Sequence, residues 1–293
     1  MTLLAALAGA LAISFSAILY RLAGVSPITG AFYRCAYALP ILFVIWWVRR
    51  REDGRTVNRR LIAYAAGIFL GLDMVAWHIA IEYVGAGLAT LIANAQVIVV
   101  AVAAWLLMGE RPSRQVAIAV PIVLIGVALV SGLGRGDSFG SNPLLGTVLS
   151  LISAVFYAAF ILGFRLSNDI QAPSAGPLME ATAGAALAAL VAGGLAGTIE
   201  FTPTWPAHGW LLALALSSQV AGWLLIGYAL PRLPAVETAT IILAQPVLTM
   251  IWAVMIFDES PSSIQLVGAA LVLAGVGFVA ISGSRRAAEP VVV

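Results

Sequence analysis

The sequence predicts an all-α polytopic membrane protein of ten transmembrane helices in two inverted five-helix repeats. Three observations carry that expectation. Of its 293 residues, 62% are hydrophobic and 10% are charged, whereas a soluble domain devotes about a quarter of its residues to charge. The apolar residues fall into ten stretches bounded by Gly, Pro and charged residues, each near the ~20 residues that one crossing needs. The fourth and ninth stretches also share polar residues at one constant spacing.

In order, the first stretch, Leu3–Tyr20, holds no basic residue, so it lacks the charged start of a secretory signal and is expected to be a retained helix. The second, Pro27–Val48, carries Arg34 and the single cysteine, Cys35, which has no partner for a disulfide framework or metal cluster. The third, Leu61–Ile81, contains Asp73, Trp77 and His78. The fourth, Ala86–Met108, contains Asn94 and Gln96 and runs into Gly109-Glu110-Arg111-Pro112-Ser113. The fifth, Gln115–Gly132, is interrupted by Pro121, which removes a helix hydrogen bond.

The second half repeats this plan. Pro143–Phe164 carries Tyr157, Pro173–Ala196 carries Glu180, and His208–Tyr228 carries Gln219 and Trp223. Val236–Phe257 carries Gln245 and Pro246 and leads into Asp258-Glu259-Ser260-Pro261-Ser262; Ser262–Ser282 closes the set. The organisation that follows is a first repeat over 1–135, a second over 136–284, and a tail over 285–293.

All fifteen basic residues are Arg, and their placement orients the chain. With ten crossings, twelve fall on the side of both termini: Arg49, Arg50, Arg51, Arg55, Arg59, Arg60, Arg111, Arg114, Arg165, Arg232, Arg285 and Arg286. Arg21 and Arg135 fall opposite, and Arg34 lies within the second stretch. Short cytoplasmic loops accumulate Arg and Lys, so both termini are expected in the cytoplasm and the chain in a bacterial inner membrane. The pI of about 8.9 is then an orientation signal, and no nucleic-acid partner is implied.

Gln96 and Gln245, Ala104 and Ala253, Glu110 and Glu259, and Gly126 and Gly275 are each 149 positions apart (245 − 96 = 149). A repeat of five crossings is odd, so the second copy enters the membrane from the opposite side. Inverted repeats of this kind build secondary transporters with a midplane site between the halves. A duplicated scaffold without transport is the structural alternative.

Polar side chains are costly in lipid and face a cavity, a protein interior or one another. Asp73, Gln96, Gln219 and Gln245 fall near the centres of their stretches. Trp77 follows Asp73 by four residues and Trp223 follows Gln219 by four, one helical turn along the same face. With Tyr157 they suit an organic cation or an aromatic body beside an acid, although each Trp equally suits packing. His78 is a candidate lining group with a structural alternative, and Asn94 is divided between substrate contact and interhelical bonding. Arg34 is expected at an external vestibule and Glu180 at an internal one, without direct contact, with local structural pairing to backbone groups as the equal alternative. Pro246 is expected to shape or bend the centre of the ninth helix.

No hydrolase constellation, metal cluster or phosphate-cradling Gly-Lys-Ser/Thr motif occurs, so no enzyme, cofactor or ATP-driven chemistry is expected. The expected partners are the lipid bilayer and a small-molecule substrate; no oligomeric partner is assigned. A channel lined by the same polar residues is an outer alternative.

The paired helix endings Gly109-Glu110-Arg111-Pro112-Ser113 and Asp258-Glu259-Ser260-Pro261-Ser262 resemble those of the EamA domains of the drug and metabolite transporter superfamily, as does Arg34 after an aromatic-rich start. The resemblance covers essentially the whole chain. It implies a ten-helix exporter of amino acids, other metabolites or toxic organic compounds, with structural or conformational roles for Glu110 and Glu259. Residue character around Trp77, His78 and Trp223 is similar to the aromatic amino-acid exporter branch. Export of amino acids, aromatic ones included, is therefore the expectation; export of organic cations or drugs is the alternative.

Overall fold

The computed structural model describes residues 2–96, 98–99, 102–103, 106, 114–130, 139–167, 175–229 and 235–287. Its helices are α1 (Thr2–Ser14), α2 (Ser16–Ala23), α3 (Pro27–Arg49), α4 (Val57–Val84), α5 (Ala86–Ala93) and α6 (Arg114–Val130). They continue as α7 (Pro143–Ser167), α8 (Ala175–Ala196), α9 (Trp205–Leu214), α10 (Trp223–Ala229), α11 (Ala235–Phe257) and α12 (Ser263–Ala287). A π-helical stretch, Ala215–Gly222, joins α9 to α10. The protein is thus all-helical and polytopic. Among the described residues five helices are long and apolar enough to cross a membrane, and four shorter apolar helices accompany them.

Local chemistry sets the helix starts. Ser26 caps α3, its hydroxyl accepting from the Thr29 N–H at 3.3 Å, and Pro27 opens the first turn. Both choices suit a helix end, where donors are unsatisfied and proline loses nothing. Thr56 caps α4 in the same way. Between α4 and α5 the chain turns at Gly85, with φ 84 and ψ 163, a conformation essentially restricted to glycine.

The repeat spacing is visible in the element starts. α5 opens at Ala86 and α11 at Ala235, while α6 opens at Arg114 and α12 at Ser263, both 149 apart (235 − 86 and 263 − 114). Glu259, beyond the end of α11, bonds the first N–H groups of α5, so these counterpart helices run antiparallel. α6 and α12 also run antiparallel. A Cβ on Gly126 would lie 2.7 Å from the Gly268 carbonyl, and one on Gly268 would lie 2.6 Å from the Gly126 carbonyl. The missing side chains let the two backbones touch, which is how helices associate where lipid removes the hydrophobic drive.

The core lies along α4, α7, α8 and α3. Gly71 brings α4 against Ala185 and Ala188 of α8, and Gly163 of α7 lies against Ala66 of α4. The largest buried side chains include Phe160, Leu42, Leu70, Met74 and Leu178. Three predicted stretches are interrupted: the first between α1 and α2 at Phe15, the fourth after α5 at Asn94, and the eighth at the π-helical stretch. Half-helices of this kind are tolerated at membrane depth where protein surrounds them.

Candidate functional site

Asp73 lies 16 residues after the start of α4 and 11 before its end (73 − 57 and 84 − 73), near mid-length. It is buried, and Ser153 of α7 donates to its Oδ1 at 2.5 Å. One helix away, Arg34 of α3 is buried. Its Nε donates to Gln219 Oε1 at 2.9 Å and its Nη1 to Ser16 Oγ at 2.7 Å. Gln219, on the π-helical stretch, passes the link on through Nε2 to Thr182 Oγ1 of α8 at 3.0 Å. Arg34, Asp73 and Tyr157 lie close enough for their charges and dipoles to interact. Ser16, Arg34 and Asp73 come from the first repeat, and Ser153, Thr182 and Gln219 from the second, so the network sits where the halves meet.

Arg34 lies only seven residues into α3 (34 − 27), and its long side chain reaches across to Gln219 of the second half. Arg34 and Glu180 bond separate partners, as expected.

An aromatic wall adjoins the network. Trp223 lies with its ring centroid 6.3 Å from Tyr157, 5.5 Å from Phe160 and 6.3 Å from Phe164. Trp77 belongs elsewhere: it packs against the hydrophobic cluster containing Tyr20, Ile81 and Leu88, with its ring 5.2 Å from His78. His78 is fully buried, stacked on Tyr20 at 3.9 Å, and bonded through Nδ1 to the Pro27 carbonyl at 3.0 Å. Because a carbonyl only accepts, Nδ1 carries the proton. Tyr20 in turn donates to Glu82 at 3.0 Å. His78 thereby ties α4 to the start of α3, and it lies within the field of Arg34 without bonding to it.

The amides of the fourth and ninth stretches separate too. Asn94 donates to the Thr90 carbonyl of its own helix at 2.8 Å. The chain tightens there, with Ala95 N–H donating to the Ile92 carbonyl at 2.9 Å. Gln96 is buried, and its Oε1 has no hydrogen-bond partner among the described residues. Gln245 is half-buried beside buried Pro246, and its backbone carbonyl accepts from Thr249 at 3.0 Å. The same Thr249 hydroxyl lies 2.9 Å from the Ser14 carbonyl, sharing its one proton between the two acceptors and binding α11 to the α1–α2 break.

Each end of the bundle is held by charge. Glu259 is buried and accepts from Ala86 N–H at 2.7 Å, from Gly87 N–H at 3.2 Å and from Arg21. A carboxylate at a helix N-terminus satisfies orphan donors and complements the helix dipole. At the opposite end Arg55 grips Asp53 through Nε at 2.8 Å and Nη2 at 2.9 Å, and Glu180 through Nη1 at 2.7 Å. Trp46 adds an indole N–H to Asp53 at 3.0 Å. The Arg55 hydrogen bonds outweigh the cost of burial and hold the Asp53 carboxyl at about 2, below its ordinary 3.8. Glu110 lies outside the described residues.

Sequence reasoning missed Ser16, Ser153 and Thr182, because single hydroxyls among small residues look like packing positions. The one available signal was their depth in stretches facing Asp73 and Gln219. It also counted Arg55 only as an orientation marker. Among the described residues no cluster of three or more His, Cys, Asp or Glu is placed to hold a metal ion.

Comparison with known proteins agrees with this two-halved helical architecture. A solved crystal structure, described only as that of a protein, superposes with a TM-score of 0.63 at 18% identity, covering 98% of this chain and 99% of that one. That likeness speaks to the fold. No curated protein matches the chain in sequence. Residues 1–132 and 144–281 each match the EamA-like transporter family, one match for each half. The chain therefore belongs to the EamA-like transporter family of the drug and metabolite transporter superfamily and is a membrane transporter of small organic molecules.

Proposed function

We propose that the protein exports amino acids, aromatic ones included, by alternating access through a central site between two inverted five-helix repeats with both termini in the cytoplasm. The observation that carries this reading is Asp73, bonded to Ser153 and within the field of Tyr157, which itself packs against Trp223, where side chains of both halves converge inside an apolar bundle. An acid beside aromatic rings within a mostly apolar lining is the mixture of a small-molecule site for an amine with an apolar body. The antiparallel pairs α5–α11 and α6–α12 support the inversion, and the Arg imbalance supports the orientation.

The test is an uptake panel in proteoliposomes: labelled phenylalanine, tryptophan, threonine and a hydrophobic organic cation, with Asp73→Asn and Trp77→Ala beside the unaltered protein. Uptake of the amino acids, strongly reduced by Asp73→Asn, is expected. Because Trp77 packs away from the Tyr157–Trp223 wall, its substitution is expected to act more weakly. Robust cation flux without uptake of any amino acid would replace this substrate assignment with the cation-exporter alternative.

A further inference from the structure

Arg34 is a buried cation without a countercharge. Its two hydrogen bonds go to neutral acceptors, Ser16 Oγ and Gln219 Oε1, and no carboxylate of the described residues pairs with it. Gln219 is itself pinned by Thr182. A guanidinium has five N–H donors. Two are engaged here, leaving both N–H groups of Nη2 and one of Nη1 without an acceptor among the described residues. Burying an ion without its opposite is costly unless something supplies the missing charge.

Asp73 is the complementary half. Ser153 occupies Oδ1, while Oδ2 has no donor among the described residues. Asp73 lies within the field of Arg34 without forming an ion pair with it. The enclosed side-chain atoms without a partner among the described residues are His78 Nε2 and Gln96 Oε1; Arg34 Nη2 and Asp73 Oδ2 are not among them. Nη2 and Oδ2 thus keep unused hydrogen-bonding capacity among the described residues, and Tyr157, which packs against Trp223, lies within the field of both side chains.

We propose that Arg34 binds the substrate carboxylate while Asp73 binds its ammonium group, which makes the site selective for zwitterionic α-amino acids over amines and over carboxylic acids. The inference rests on the amino-acid reading above and adds a residue and a rule of discrimination to it. The free Nη1 and Nη2 hydrogens form the edge that takes a carboxylate in two parallel bonds. Gln219 and Ser16 are positioning residues that hold the guanidinium at that angle. The substrate side chain lies toward Tyr157 and Trp223. A molecule with only one charged group leaves Arg34 or Asp73 buried and unmatched, and unmatched buried charges discriminate strongly.

The test uses the unaltered protein in proteoliposomes taking up labelled phenylalanine, with unlabelled phenylalanine, phenethylamine and 3-phenylpropanoate as competitors. Each single-charge analogue is expected to compete roughly 30-fold or more weakly than phenylalanine, the scale of losing one partner of a buried charged pair. Phenethylamine competing within about threefold of phenylalanine would overturn the role of Arg34 and leave amino-acid transport standing. Failure to take up phenylalanine while a hydrophobic cation is carried would overturn both readings. Arg34→Gln, checked for an unchanged melting profile, is expected to abolish the preference for phenylalanine over phenethylamine; retention of that preference in a folded variant would also overturn the assignment. The analogue series needs only the unaltered protein, so it decides the matter even if the variant does not fold.

Discussion

Replacing Glu259 by Ala removes the clamp between the end of α11 and the start of α5. The carboxylate is 2% exposed and takes the Ala86 and Gly87 N–H groups at 2.7 and 3.2 Å, together with Arg21. Loss of an N-cap acceptor costs about 1 kcal/mol, and hydrogen bonds to a charged group are worth about 1.5–3 kcal/mol. Arg21 is 32% exposed and stays over the Phe257 ring at 4.0 Å, so its pairing adds about 1 kcal/mol at most. Taken together, Glu259→Ala is expected to destabilise by about 3 kcal/mol, lowering the melting midpoint in detergent by roughly 5–10 °C. Glu259→Gln keeps an acceptor oxygen and is expected to lose about half as much. A midpoint for Glu259→Ala within about 1 °C of the unaltered protein would refute this account of how the repeats are joined.

Gly85→Ala is expected to damage the same clamp, because φ is 84 and a Cβ would lie 2.8 Å from Glu259 Oε2. Its cost of about 2 kcal/mol or more should shrink once Glu259 is Ala, as a double-mutant cycle of melting midpoints will read. At the other end, the Asp53 carboxyl is held at about 2 from an ordinary 3.8. Its depressed value means its stabilisation is complete above about pH 4 and is lost as pH falls toward 2. Melting of the unaltered protein between pH 4 and 7 should therefore carry no step from Asp53, while Asp53→Asn should lower stability by about 2 kcal/mol throughout that range. Gly71→Ala would place a Cβ 2.6 Å from the Ala185 carbonyl, and a loss of about 1–3 kcal/mol is expected in the same melting assay.

Much of the fold was legible because hydrophobic length and the 149-residue spacing are one-dimensional signals. The starts of α5 and α11 reproduce that spacing, and it also placed Glu259 at a helix end. Asp73 and Gln219 stood out as polar residues amid apolar ones. The partner of Arg34 was hidden because depth was counted at the Cα, while the bond to Gln219 is made at the far end of the side chain. Trp77 and Trp223 share a spacing from Asp73 and Gln219, but the π-helical stretch rotates the second helix and not the first. The two rings consequently enter different clusters. Such a widened turn leaves no mark in hydropathy, and neither does the Ser153 hydroxyl that meets Asp73 from 80 residues away. Asp53 and Arg55 lie in a connection, where charges ordinarily face water; only folding brings Glu180 to them.

The central claim is that this chain carries its solute in alternation and does not open a continuous pore. Initial uptake of labelled phenylalanine, measured in proteoliposomes with and without an internal load of unlabelled phenylalanine, tests it most directly. A carrier returns loaded faster than empty, so preloading is expected to accelerate uptake, with a rate that saturates in external phenylalanine. A rate that is indifferent to the load and rises linearly with concentration would contradict the claim.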